Sequence, residues 1–313
     1  VFGNGLASYK KPFKNILYTG NSGTLARMLI ALISSQSNLK IKIYGDNSLN
    51  KRDMKRIINP LSKIGCSFFP KNKTTLPLIV EGTSMPLAQK HLETIGSAQV
   101  KSAILLSALN TPGITTIVEK KISRNHTENL LTKIKANIKI KKLKNQNIIL
   151  IKGQKNLNSF NLEIPGDQSS AAPFIFLTLF TPNSTLIIKN INYNPTRIGF
   201  IKILKKMKAN IKVKNLKKKS SELMGDVIIK SSFLKPLSCP KKLVPAAIDE
   251  FPLLFSTAAL TKGISKFSGI EELRHKESDR IKSMESGLNK IGIKTKSTKD
   301  SLKIFGNPNI KIK

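Results

Sequence analysis

One motif recurs four times along the chain, and it constrains the fold more than any other feature. A Gly or acidic turn with small polar residues opens an apolar, Ala-rich helix. The pattern stands at Gly20-Asn-Ser-Gly-Thr24 before Leu25–Ile33 and at Gly96-Ser-Ala-Gln99 before Val100–Leu109. It returns at Gly166-Asp-Gln-Ser-Ser170 before Ala171–Phe180 and at Asp249-Glu-Phe-Pro252 before Leu253–Leu260. Gly20, Gly96 and Gly166 lie 76 and 70 residues apart, and Asp249 follows after 83. A second helix closes each unit, with an apolar marker at Ile64, Ile134, Met207 and Ile291, spaced by 70, 73 and 84 residues. Two markers with matching spacing define a repeat, and the unit is too long for a solenoid.

Short strands are expected at Lys40–Tyr44, Leu78–Glu81, Thr115–Glu119, Ile148–Lys152, Thr185–Lys189 and Val227–Ile229. They alternate with the helices, so the expected class is α/β or α+β. The lysine-rich segments Lys141–Asn147 and Leu216–Ser220 read as solvated loops at hairpin tips. The domain boundary is expected near Ser159–Glu163, giving a first domain over 1–160 and a second over 161–313, each with two repeats.

Composition excludes several classes. At 40% hydrophobic the 313 residues suffice for real cores. The longest apolar run, Phe174–Phe180, is too short to span a bilayer, and no membrane partner is expected. No signal-like segment opens the chain. It begins at Val1, inside what reads as strand and turn, so an incomplete chain is expected. Cys66 and Cys239 are far apart and lack metal spacing, which fits a reducing cytoplasm and no metal site. The net charge of +36 suits a polyanion, but the lysines are scattered, aromatics make up 6% and Trp is absent. A base-stacking surface needs more rings, so drift towards Lys, Asn and Ile is the preferred reading.

Only seven of the 54 basic residues are arginine: Arg27, Arg52, Arg56, Arg124, Arg197, Arg274 and Arg280. Arginine grips carboxylate or phosphate with a planar fork that lysine cannot copy, so at least three are expected to line one anion site. Helix N-termini add unpaired N–H groups and partial positive charge, and four of them suit a multiply anionic ligand. The segment Glu271–Arg280 is the densest charged stretch. Lys276 and Arg280, at i and i+4, are expected on one helix face, with Glu277 between them and Asp249 as a second carboxylate for acid–base work.

These motifs together resemble the 3-phosphoshikimate 1-carboxyvinyltransferase (EPSP synthase) family. The matching stretches are Gly20–Thr24 with Arg27, Gly45–Arg52 with Met54, Ser97–Ser102, Ser123–Glu128, Pro165–Ala172, Asn194–Arg197, Asp249–Pro252 and Glu271–Arg280. The resemblance implies an enolpyruvyl-transferase-like fold of two pseudo-threefold domains, an inside-out α/β barrel, with the active site in the hinge cleft. It implies transfer of the enolpyruvyl group of phosphoenolpyruvate to the 5-hydroxyl of shikimate 3-phosphate, with no cofactor. By the same resemblance Asp249 is the general base and Glu277 the acid. Phosphoenolpyruvate falls to Asn21, Gly23, Arg52, Gln99 and Arg280. Shikimate 3-phosphate falls to Ser97, Ala98, Gln99, Ser123, Arg124, Asp249 and Lys276. A cytoplasmic monomer that binds no nucleic acid is expected.

The family has six repeats and this chain shows four, so a fragment lacking the first and last repeats, with little or no turnover by itself, is expected. Asp53 stands where the family usually has Pro, beside Arg52, and is expected to weaken that arginine's hold on an anion. Pro173 is expected in the first turn of its helix, where proline is tolerated. Gly23 is the small-residue form of its turn and implies a glyphosate-sensitive intact enzyme. Two alternatives stay open. UDP-N-acetylglucosamine enolpyruvyl transferase shares the fold but usually relies on a reactive Cys in a mobile loop, which neither cysteine here resembles. A basic nucleic-acid-binding protein is the other.

Overall fold

In a computed structural model, the described residues are 2–144, 146–276 and 278–310. The chain forms two compact units, Val1–Asn161 and Leu162–Lys313. Each holds two copies of one topology.

In the first unit, β1 (Ile16–Tyr18) leads into α1 (Gly23–Ser34) and β2 (Lys40–Tyr44). A one-turn helix α2 (Asn47–Asn50), α3 (Lys55–Lys63), β3 (Ser67–Phe69) and β4 (Leu78–Glu81) complete the repeat. The next repeat runs β5 (Lys90–Glu93), α4 (Ala98–Ala108), β6 (Ile114–Glu119), α5 (His126–Lys133), β7 (Asn137–Lys142) and β8 (Asn147–Lys152). The sheets are ordered β1-β2-β4-β3 and β5-β6-β8-β7. In both, the first two strands pair in parallel and the rest antiparallel.

The second unit repeats the plan with its first strand reduced. It comprises α6 (Gln168–Phe180), β9 (Thr185–Asn192), α7 (Gly199–Lys206), β10 (Asn210–Lys219) and β11 (Glu222–Lys230). It continues with α8 (Val244–Ala247), α9 (Phe251–Ala259), β12 (Gly263–Ser268), α10 (Arg280–Lys290), β13 (Thr295–Ser297) and β14 (Ser301–Gly306). The sheets are β10-β11-β9 and β12-β14-β13. Where the opening strand would pair, only the parallel bridges Gly166–Ile191 and Ser238–Lys266 remain.

The repeat markers have structural causes. Ile64, Ile134, Met207 and Ile291 are the C-caps of the second helix in each repeat. The next residue always takes a left-handed conformation: Gly65 (φ 107°), Lys135 (61°), Lys208 (70°) and Gly292 (87°). That turn ends the helix and feeds the following strand. Strand alternation sorts the lysines: in β2, Ile41 and Ile43 point inward while Lys40 and Lys42 face solvent. Small residues join the central helices: Ala26 and Ala31 on α1, and Ala103 and Ala108 on α4, are buried in the first core. In the second, Ala171, Ala172 and Ile175 on α6 share a core with Leu254, Phe255 and Ala258 on α9. Gly153 follows β8 against the end of α4, where a Cβ would fall 2.1 Å from the Thr111 carbonyl oxygen. The close approach therefore demands glycine.

Three expectations fail. Leu216–Lys219 is strand rather than loop, because β10 pairs with β11 up to Lys219–Glu222 and turns at Ser220 and Ser221, both at positive φ. Pro173 is not in a first turn. The Asp167 carboxylate caps α6 by accepting from Ser169 and Ser170 N–H, which starts the helix at Gln168 and makes Pro173 its sixth residue. Lys276 and Arg280 do not share a helix face. Asp279 caps α10, so Arg280 is its first residue, while Lys276 is extended (φ −85°, ψ −157°).

Candidate functional site

The turns that open α1 and α4 meet through side chains. Ser22 caps α1 by accepting from Leu25 N–H, and Ser97 caps α4 by accepting from Val100 N–H. One turn into α1, buried Arg27 donates from Nη1 to Gln99 Oε1 at 2.7 Å, and Gln99 Nε2 donates to Thr24 Oγ1 at 2.7 Å. Gly23 lies against both arginines of this corner: a Cβ there would fall 2.9 Å from Arg27 Nη1 and 3.0 Å from Arg52 Nη1. Gly23, Arg27, Arg52 and Gln99 thus converge. Asn21 donates to Asp46 Oδ2 at 2.6 Å, on the exposed rim of the same turn. Asp53 accepts from Lys55 N–H through its side chain, and its carbonyl takes Arg27 Nη2.

Ser97 and Ser123 are each set by a buried carboxylate that sequence reading missed. Glu93 ends β5 and Glu119 ends β6, and the two are paired across the parallel strands. Glu93 Oε1 gathers the N–H groups of Ile95 (2.8 Å), Gly96 (2.9 Å) and Ser97 (3.3 Å). Ser123 donates both its N–H (2.9 Å) and its hydroxyl (2.7 Å) to Glu119 Oε1, while Asn147 Nδ2 donates to Oε2 at 3.0 Å. Lys101, with no exposed surface, donates to Glu119 Oε1 at 2.8 Å and reaches Glu128 Oε1 at 2.7 Å. Burial pushes the Glu119 carboxyl up, but Lys101 and Ser123 outweigh it and hold it below its ordinary value. At Glu128 burial wins over Lys101 and the carboxyl is raised. Ala98 is the first residue of α4. Arg124, half-buried, follows Ser123. A carboxylate at each strand end was detectable in the sequence only as the spacing Glu93–Ser97 and Glu119–Ser123.

In the second unit Asp249, ahead of α9, has a cation at each oxygen: Lys276 Nζ is 3.5 Å from Oδ1 and Arg197 Nη1 is 3.5 Å from Oδ2. Arg197 also stands 3.3 Å from Glu250 Oε1 and 3.5 Å from Asp167 Oδ1 and bonds to the Ser169 hydroxyl. Burial raises the Asp167 carboxyl, yet the Ser169 and Ser170 donors and Arg197 hold it below the usual range. Arg274 is a structural clamp, donating to Asp279 Oδ2 (2.7 Å), Lys299 O (2.9 Å) and Thr298 O (2.6 Å). Arg280 opens α10. Glu277, expected as the acid, lies outside the described residues. Of the arginines expected around one anion, the first unit brings Arg27 and Arg52 together.

Both cysteines are buried, and burial pushes Cys66 up to about 12 and Cys239 to about 11, so neither is a poised nucleophile. Among the described residues, no helix is long and apolar enough to cross a membrane.

Comparison with known proteins agrees along the whole chain. The family described as EPSP synthase (3-phosphoshikimate 1-carboxyvinyltransferase) matches residues 2–312. The 3-phosphoshikimate 1-carboxyvinyltransferase of Petrotoga mobilis is 42% identical over 99% of this chain and 71% of its own length. That of Zymomonas mobilis is 40% identical over 98% of this chain and 67% of its own. EPSP synthase from Acinetobacter baumannii superposes with a TM-score of 0.78 at 38% identity, over 93% of this chain and 65% of that one. The enolpyruvyl transferase NikO from Streptomyces tendae, 12% identical with a TM-score of 0.63 over 89% of this chain and 62% of its own, shares the fold. The chain spans about two thirds of the length of these relatives.

Proposed function

The chain belongs to the EPSP synthase family, and on that footing we propose that it transfers the enolpyruvyl group of phosphoenolpyruvate to the 5-hydroxyl of shikimate 3-phosphate. The observation that carries the chemistry is Asp249, with Lys276 and Arg197 each 3.5 Å from one of its carboxylate oxygens. Asp249 takes the proton of the 5-hydroxyl as that oxygen attacks C2 of phosphoenolpyruvate. Glu277 protonates the methylene carbon, giving a tetrahedral adduct. Loss of phosphate with return of that proton restores the carbon–carbon double bond.

The remaining residues divide by ligand chemistry. Ser97, Ala98 and Gln99 at the N-terminus of α4, with Ser123, Arg124 and Lys276, offer hydroxyl, backbone and cationic donors to the phosphate and hydroxyls of shikimate 3-phosphate. Arg52 and Arg280, with Gly23, Asn21 and Gln99, serve phosphoenolpyruvate, whose carboxylate and phosphate suit a guanidinium fork. The buried thiols argue against the cysteine-dependent chemistry of UDP-N-acetylglucosamine enolpyruvyl transferase.

The test is phosphate release from phosphoenolpyruvate. Release that requires shikimate 3-phosphate and is lost in Asp249→Asn supports the reading. Release indifferent to shikimate 3-phosphate, or unchanged by that substitution, contradicts it.

A further inference from the structure

We infer that Glu119 is a positioning residue for substrate: it holds Ser123 where the phosphate of shikimate 3-phosphate is received. The inference rests on the reading of Ser123 as a phosphate ligand.

Three observations carry it. The first is cost. Glu119 is fully buried and Glu93, its partner across the parallel strands, is 5% exposed, so two carboxylates stand side by side inside a sheet. Like charges in that relation destabilise a sheet. Packing alone would be better served by apolar side chains of similar volume.

The second is convergence. Oε1 of Glu119 takes the Ser123 N–H, the Ser123 hydroxyl and the Lys101 ammonium together. The carboxylate thereby folds residues 120–123 back over the end of β6 and fixes Ser123 by two bonds. Lys101 projects from α4, the helix that Ser97 caps. Through one oxygen atom, Glu119 therefore ties Ser123 to the helix whose N-terminus carries Ser97, Ala98 and Gln99.

The third is how this geometry meets a phosphate dianion, which brings only acceptors. The Ser123 hydroxyl can swing its proton from Glu119 to a phosphate oxygen while the Ser123 N–H, at 2.9 Å, keeps the residue anchored. Lys101 remains on the carboxylate after the exchange, so Glu119 is not left without a charged donor. Placement survives while the hydroxyl changes partner, which is the preorganisation a binding site needs.

The test is a double-mutant cycle read by calorimetric titration with shikimate 3-phosphate on the full chain, using Glu119→Gln, Ser123→Ala and the double variant. Glu119→Gln is expected to weaken binding about tenfold, and the loss is expected to shrink to less than about twofold when Ser123 is already Ala. Glu128→Gln, which disturbs the same buried lysine without touching Ser123, is expected to lower the melting temperature and leave affinity within about twofold. Should Glu119→Gln fail to fold, Glu119→Asp keeps the charge but shortens its reach to both Lys101 and Ser123, and its loss of affinity is likewise expected to shrink when Ser123 is already Ala. Additive effects of Glu119→Gln and Ser123→Ala, or a Glu128→Gln loss as large as that of Glu119→Gln, would overturn the inference. Unchanged affinity in Ser123→Ala would instead remove the reading of Ser123 on which it stands.

Discussion

Arg27 and Gln99, 72 residues apart, are joined by a hydrogen bond of 2.7 Å from Nη1 to Oε1. Gln99 Nε2 turns back to Thr24, so both ends of the amide are committed to the opening turn of α1. The bond sets two copies of the repeat in register at the corner where Gly23 and Arg52 lie. Replacing Gln99 by Leu removes an acceptor from a buried guanidinium, which costs on the order of 1–3 kcal/mol. Urea unfolding is expected to show a lower midpoint with an unchanged slope. An unchanged midpoint would mean the bond adds nothing to this corner.

Gly23→Ala probes the same corner by crowding. Its Cβ would press on the tips of Arg27 and Arg52, at 2.9 and 3.0 Å, and these are flexible ends rather than backbone. The fold is expected to survive while the guanidinium groups shift. Affinity for phosphoenolpyruvate should fall about tenfold, roughly 1.4 kcal/mol, and inhibition by glyphosate should weaken with it. An inhibition constant untouched by the substitution would separate Gly23 from the phosphoenolpyruvate position.

The thiols give a cheap discrimination between enolpyruvyl transferases. Cys66 is 4% and Cys239 7% exposed, and burial holds both protonated at neutral pH. At pH 8 in native buffer neither should react with iodoacetamide over an hour, and both should react in urea. Rapid labelling of one thiol with loss of activity would favour the cysteine-dependent rival.

Arg274 and Asp279 make stability depend on acid. Burial alone would raise the Asp279 carboxyl, but the Lys282 N–H and Arg274 outweigh it and hold it below its ordinary value. A carboxyl lowered on folding contributes stability above its unfolded pKa, about 3.9 for Asp, and loses that contribution as pH falls through the folded value. Asp279→Asn keeps a capping oxygen for α10 and removes the charge. Its melting temperature should lie below that of the unsubstituted chain at pH 7, with the gap closing below about pH 4. A gap constant with pH would mean that the charge does not matter there.

The repeats were legible because each needs a helix opened by a small polar turn and a second helix stopped by a left-handed residue. Both demands restrict residue type at fixed spacing. Gly65 and Gly292 advertise the stop, and Lys135 and Lys208 meet it without advertising it. The corner of Gly23, Arg52 and Gln99 followed from motif resemblance, whereas Glu93 and Glu119 did not. A buried glutamate at a strand end is unremarkable in sequence, and its purpose appears only when the chain folds back onto it. Acidic caps account for two differences: Asp167 starts α6 ahead of Pro173, and Asp279, capping α10, leaves Lys276 outside the helix that Arg280 opens.

Recognition of shikimate 3-phosphate by the purified chain can be read by calorimetric titration with that ligand. Saturable binding at one site per chain, weakened in Ser123→Ala, is expected. A chain that is folded by circular dichroism and melts cooperatively, yet gives no binding heat with shikimate 3-phosphate at any temperature tried, would contradict it.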